Sequence, residues 1–262
     1  MVIYNKLFIF HFLFVMCAGV TFGQSKNQRD AGGLKQGYWE AVDSNGKLVY
    51  SGYFKDDRPV GEMKRYFPTG GVRVIMNYDD TGTKVRSQFF WQSGELAAQG
   101  NYIDTQRDSV WLYYSNYTRA LSQRVEFTAG KQNGKAQSFY PGGSVAEETI
   151  WKDGLKEGVW IQYFNNGQIK STSVYINDKL EGAFATFYPG GKPEIEGAYR
   201  NGVPDGEWKR YDENGKLAST IKYTNGKIAN YEELEAAQQE FFKKVMEQEG
   251  RIPEPTIEDM MR

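Results

Sequence analysis

The stretch Gly158-Val-Trp-Ile-Gln-Tyr-Phe-Asn-Asn-Gly-Gln-Ile-Lys-Ser-Thr-Ser-Val-Tyr-Ile-Asn-Asp-Lys-Leu-Glu-Gly182 decides the fold, because Gly182 restarts the pattern that Gly158 opened. Gly143, Gly167, Gly191 and Gly215 stand 24 residues apart, as do Gly46, Gly70 and Gly94. A second column, Gly130, Gly154, Asp178, Gly202 and Gly226, keeps the same spacing. A fixed period of this size is the mark of a repeat array. Two turn signals per period leave room for two short strands, so each unit reads as a β-hairpin that contacts only its neighbours.

Counted by opening residue, the units begin at Gly37, Gly61, Val85, Ser109, Gly134, Gly158, Gly182 and Gly206, with one extra residue between the fourth and fifth. Thr118 replaces the turn glycine at that junction. Two positions after the opening stand Trp39, Met63, Trp111, Trp160, Phe184 and Trp208; five after it stand Tyr66, Phe90, Tyr114, Phe139, Tyr163, Phe187 and Tyr211. The second strand of each unit ends on an aromatic: Phe54, Tyr78, Tyr102, Phe127, Trp151, Tyr175, Tyr199 and Tyr223. A two-strand unit has few other means of burying area, so Trp160, Tyr163, Tyr175, Phe184, Phe187, Tyr199, Trp208, Tyr211 and Tyr223 are expected to stack as a structural ladder. Positions two and five differ in parity. Either a bulge beside the opening glycine brings them to one face, or both faces carry aromatics.

These units resemble the variant MORN repeat, with its Gly-x-Trp-x-x-Tyr, Asn-Gly-Lys and Tyr-x-Asn-Gly-Lys-x-x-Gly elements, carried best by Gly158 to Gly182 and Gly206 to Gly226. Tandem arrays of this kind resemble the YwqK-like antitoxin family. The resemblance runs from about Gly37 to Lys227 and departs from the pattern between Val85 and Asn133. It implies an all-β fold: tandem hairpins in an elongated single-layer antiparallel sheet. For function it implies membrane-binding, dimerising or scaffolding modules.

Residues 1–23 read as a cleaved secretory signal, with Lys6 ahead of the apolar Leu7 to Val20 and with Thr21 and Gly23 as small residues before the cut. Fourteen apolar residues fall short of the ~20 that a spanning helix needs. Met16 stands where a lipid-attachment signal favours a small residue, which argues against lipidation at Cys17. The only histidine, His11, and the only cysteine, Cys17, lie in this segment. Its removal takes away imidazole and thiol together, and with them Ser-His-Asp triads, Cys-His dyads, zinc centres and disulfides. No catalytic, cofactor or metal residue is therefore assigned. Loss of Lys6 leaves 31 basic against 33 acidic residues, about −2, which gives nucleic acid no basic footprint.

Residues 24–36 read as a linker, 37–229 as the eight repeats, 230–250 as a helix and 251–262 as a Pro-containing tail. In the helix, Asn230 and Glu233 resemble a capping pair, Leu234, Phe241 and Val245 recur at helical spacing, and the segment is expected to cover the last hairpin. Glu62, Glu157, Glu181, Asp205 and Glu207 cluster beside opening glycines, but once-per-repeat carboxylates at turns are ordinary turn residues. Lys131, Lys135, Lys152 and Lys156 belong to a mixed-charge surface. The expectation is an exported, non-enzymatic envelope protein that binds or scaffolds another component through its repeat surface. That component is a protein, a glycan or a lipid surface, or a second copy of the chain. An antitoxin-like protein and a carbohydrate-binding or carbohydrate-active protein are the alternatives.

Overall fold

The computed structural model describes residues 25–248; the leader with His11 and Cys17, and the tail 251–262, lie outside the described residues. The described chain forms 19 strands and one helix. Each strand pairs antiparallel with the next along the chain, except that Lys179–Leu180 and Gly182–Phe187 both pair with Ile169–Ile176, from Gln28–Arg29 at one edge to Lys227–Ile228 at the other, giving one open sheet. Three of the strands are two-residue pieces; the other sixteen supply two per repeat, as the 24-residue period requires. The segment from Val85 to Asn133 keeps the same strand pairing, although Val85, Ser109 and Thr118 stand where other units have glycine.

Two kinds of turn alternate. One is a two-residue turn with both residues in the left-handed region, as at Asn201–Gly202 (φ 52° and 84°) and Asn225–Gly226 (φ 50° and 80°). This mirror-image turn matches the natural strand twist, which is why Asn-Gly and Asp-Gly recur there. The other is a four-residue turn closed by Gly215 N–H donating to the Asp212 carbonyl at 2.8 Å, with Asp212 Oδ1 accepting from the Asn214 and Lys216 amides.

The bulge expected beside the opening glycine is present, and both faces nevertheless carry aromatics. At Gly61, Ser109, Gly134, Gly158 and Gly206 the strand has two residues more than its preceding partner. An insertion of two leaves side-chain parity unchanged, so positions two and five stay on opposite faces. Ser109 adopts the left-handed conformation (φ 59°) that the glycines supply elsewhere. Val85 has no such irregularity. Trp160, Tyr175, Phe184, Tyr199, Trp208 and Tyr223 therefore share one face, here called the indole face, while Tyr163, Phe187 and Tyr211 lie on the other. The expected ladder is two ladders.

Burial on the indole face is uneven. Trp39, Phe54 and Met63 form one buried cluster; Trp111, Val125 and Phe127 form another. Both belong to the first half of the array. The six indole-face aromatics from Trp160 to Tyr223 are only half-buried, which corrects the expectation that they form the core.

The helix Tyr231–Gln248 is present but does not cover the last hairpin: Phe241, Phe242, Val245 and Met246 are 63%, 54%, 45% and 67% exposed. Its expected cap is spent elsewhere. Asn230 Oδ1 accepts from the Lys222 amide at 2.9 Å and its Nδ2 donates to the Thr220 carbonyl at 3.3 Å, so the side-chain amide pairs with the edge strand as a peptide would. Asn27 does the same at the opposite edge, bridging the amide and carbonyl of Glu40 at 2.9 and 3.1 Å.

Candidate binding face

The indole face is built by matching size across strands. Gly52 faces Met63, Gly100 faces Trp111 and Gly197 faces Trp208, and a Cβ at Gly100 or Gly197 would lie 2.3 or 2.4 Å from an indole. The glycine is thus a recess into which the next strand lays its ring. Trp111 Nε1 and Trp208 Nε1 then donate to the Asn101 and Ala198 carbonyls at 3.0 and 3.1 Å, fixing the ring orientation.

Cations close over the rings. Lys35 Nζ lies 4.9 Å from the Trp39 ring centre, Arg107 Cζ 5.3 Å from Trp111, and Lys156 Nζ 4.8 Å from Tyr175. Lys156, expected only as part of a mixed surface, is a cover for aromatics. Between Phe184 and Tyr223 the rings run in contact: Phe184 stacks on Trp208 at 5.4 Å, and Trp208 meets Tyr199 and Tyr223 edge-on at 5.0 and 6.0 Å. Burial, reinforced by the Tyr175 and Tyr223 phenols nearby, holds the Tyr199 phenol above its ordinary value.

On the opposite face, Tyr38 and Tyr53 pack at 5.2 Å and Tyr211 Oη donates to Glu196 at 2.8 Å, among ion pairs such as Lys64–Glu62 and Lys209–Glu207. The once-per-repeat carboxylates have a structural task. Glu157, Glu181 and Asp205 accept the backbone amides of Asn177, Asn201 and Asn225 at 2.8, 2.7 and 3.2 Å, each twenty residues ahead. Each repeat thereby holds the left-handed turn of the next. Lys135 pairs with Glu148 at 3.5 Å, and Lys131 and Lys152 are exposed.

One place breaks the face. Where six units carry Trp, Met or Phe two positions after the opening, the third unit has Ser87 and the fifth Ala136. The recess opposite it is filled by Val125 instead of glycine. A pocket of about 210 Å³ opens there, lined by Ala136, Val125, Gln132, Glu147, Trp151 and Lys156 among others. Two of its groups, Gln132 Oε1 and Trp151 Nε1, are shielded from solvent and have no hydrogen-bond partner. Each unpaired group of this kind costs about 1–3 kcal/mol. Sequence reasoning passed over this pocket; its signal is Ala136 itself, the small residue in an otherwise large column. Ser87 is the other such break, and its hydroxyl is fully buried and unpaired.

The family profile described as MORN repeat variant matches residues 59–80, 132–153, 156–177 and 204–225. The chain is a MORN-variant repeat protein. Its architecture is that of a repeat-based scaffold. No curated protein matches it. Among solved structures, TarM is 12% identical over 55% of this MORN-variant chain and 20% of its own, at a TM-score of 0.22. The GtfA/B complex bound to UDP and GlcNAc gives 11%, 61%, 26% and 0.16 in the same terms, and TcdB2-TccC3 gives 9%, 76%, 13% and 0.21. The chain thus spans about a fifth of TarM, and nothing about ligand or activity follows from likeness at these TM-scores.

Proposed function

We propose that this protein is a non-enzymatic scaffold of the cell envelope that holds a partner against the second half of its indole face. The supporting observation is the strip from Trp160 to Tyr223. Six aromatics that a core would bury stay only half-buried there, while their counterparts Trp39 and Trp111 are 9% and 2% exposed. A contiguous aromatic strip left partly open to solvent on a repeat array is the usual mark of an interaction site. Rings held edge-to-face by their neighbours present that area with little conformational freedom left to lose on binding.

The carboxylates support the non-enzymatic reading, since Glu157, Glu181 and Asp205 are engaged with backbone amides. Export rests on the leader-like residues 1–23. The test is capture from solubilised envelope fractions with wild-type protein and with Phe184→Ser/Trp208→Ser, both judged folded by circular dichroism. Loss of a captured component with the double variant supports the reading; equal capture by both overturns it. Recovery of intact Met1 from the cytoplasm would overturn the envelope assignment.

A further inference from the structure

We infer that the pocket at Ala136 is a binding site for one saccharide unit. It lies on the indole face but outside the strip from Trp160 to Tyr223, so it stands or falls independently of the scaffold reading. In six units a large side chain two positions after the opening occupies the equivalent space. Where Ala136 meets Val125, a ring-sized space of about 210 Å³ appears with polar walls. Ligand sites for drug-sized molecules run to ~300–1,000 Å³, so this one suits a single small ring.

The chemistry of the walls selects the ligand. Trp151 Nε1 is an unused donor and Gln132 Oε1 an unused acceptor, so the occupant must accept at one point and donate at another. Hydroxyl groups do both. Glu147 is held by Thr149 Oγ1 and Gln162 Nε2 at 3.3 and 3.1 Å and faces the same space as Lys156; one charge of each sign favours a neutral guest. Gln123 and Ser138 add further hydrogen-bonding groups, while Ala136 and Val125 give an apolar floor for the C–H face of a pyranose. A peptide amide carries one donor and one acceptor and would leave most of these walls unengaged. An acyl chain would leave both orphaned atoms unpaired. Because Trp151 Nε1 and Gln132 Oε1 are shielded in the free protein, entry requires a covering side chain to swing aside, and Lys156, 5.8 Å from the Trp151 ring centre, is the long one at hand.

The test titrates the full chain with glucose, galactose and N-acetylglucosamine, and separately with acetamide and glycylglycine, following the Trp151 indole N–H by NMR. At least one sugar should saturate at millimolar concentration and move that resonance. Gln132→Met, which keeps shape and removes the acceptor, and Trp151→Phe, which keeps an aromatic ring and removes the donor, should each weaken binding tenfold or more, and Gln132→Met should do so without lowering the melting point. Trp151→Phe is read by saturation transfer from the sugar. Ala136→Trp should abolish binding; if that variant fails to fold, Gln132→Met and Trp151→Phe decide. No response to any of the three sugars overturns the proposal. So does binding unaffected by both Gln132→Met and Trp151→Phe, and a response to acetamide or glycylglycine alone would make this a peptide site instead.

Discussion

Gly100→Ala places a methyl group where the Trp111 ring now lies, 2.3 Å from the nearest indole carbon, and something must move. The ring has nowhere to go: Trp111 is 2% exposed and enclosed by Phe89, Tyr102, Tyr113 and Phe127 at 5.0 to 6.4 Å, with Arg107 above it. Overpacking a rigid site costs about 1–3 kcal/mol, and expelling the ring altogether costs about as much as truncating it, ~3–5 kcal/mol. About 3 kcal/mol is the expected loss. Gly197→Ala makes the same collision with Trp208, at 2.4 Å, but that ring is half-exposed and can tilt outward, so about 1 kcal/mol is expected. At about 2–4 °C per kcal/mol for a chain of this size, the melting midpoints should fall by ~6–12 °C and ~2–4 °C respectively. Both variants are melted by circular dichroism beside Gly100→Ala/Trp111→Leu, in which a smaller partner should recover part of the loss. Equal losses at the two glycines, or a neutral Gly100→Ala, would refute the recess argument.

Three further outcomes are expected. Trp111→Ala should cost ~3–5 kcal/mol whereas Trp208→Ala, starting half-exposed, should cost ~1–2, read by urea denaturation; a larger loss at Trp208 would place the core in the wrong half. Hydrogen bonds from Lys26 and Tyr38 hold the Glu40 carboxyl below its ordinary value, and those from Ser93 and Arg119 do so for Glu95; burial pulls Glu126 upward but the Lys135 amide and Arg124 outweigh it. Depressed folded values stabilise above the ordinary carboxylate range and the gain is lost on acidification, so the melting point should be level from pH 6 to 8 and fall below about 4; a flat profile to pH 3 would contradict this. In small-angle scattering, sixteen strands at ~4.8 Å make a sheet about 75 Å long, with a radius of gyration above about 20 Å against about 17 Å for a compact chain; the lower value would exclude the extended sheet.

The period was legible because glycine and asparagine at left-handed turns have few substitutes, so Asn225–Gly226 and Gly215 announce the hairpins without any knowledge of packing. The facing of the rings was less legible. Parity alone offered two outcomes for Trp208 and Tyr211, and only the count of inserted residues at Gly206, two and not one, separates them. Relative burial was not legible at all, since Trp111 and Trp208 sit on equivalent glycines and differ in what surrounds them. Asn230 was misread for a related reason: a helix cap and an edge pairing ask for the same side-chain amide, and the choice depends on whether a free strand lies alongside. The pocket at Ala136 required attention to the residue missing from a column.

Asn27 and Asn230 finish the sheet with one side chain each. Because each described edge is closed by a two-residue strand and one such side chain, the number of hairpins between them is unconstrained by either closure. A duplication or deletion of 24 residues in the interior would leave both closures untouched and every new interface of a kind already present. Array length in such a molecule is therefore a quantity that inheritance can vary in whole steps, and the span of the face it presents varies with it.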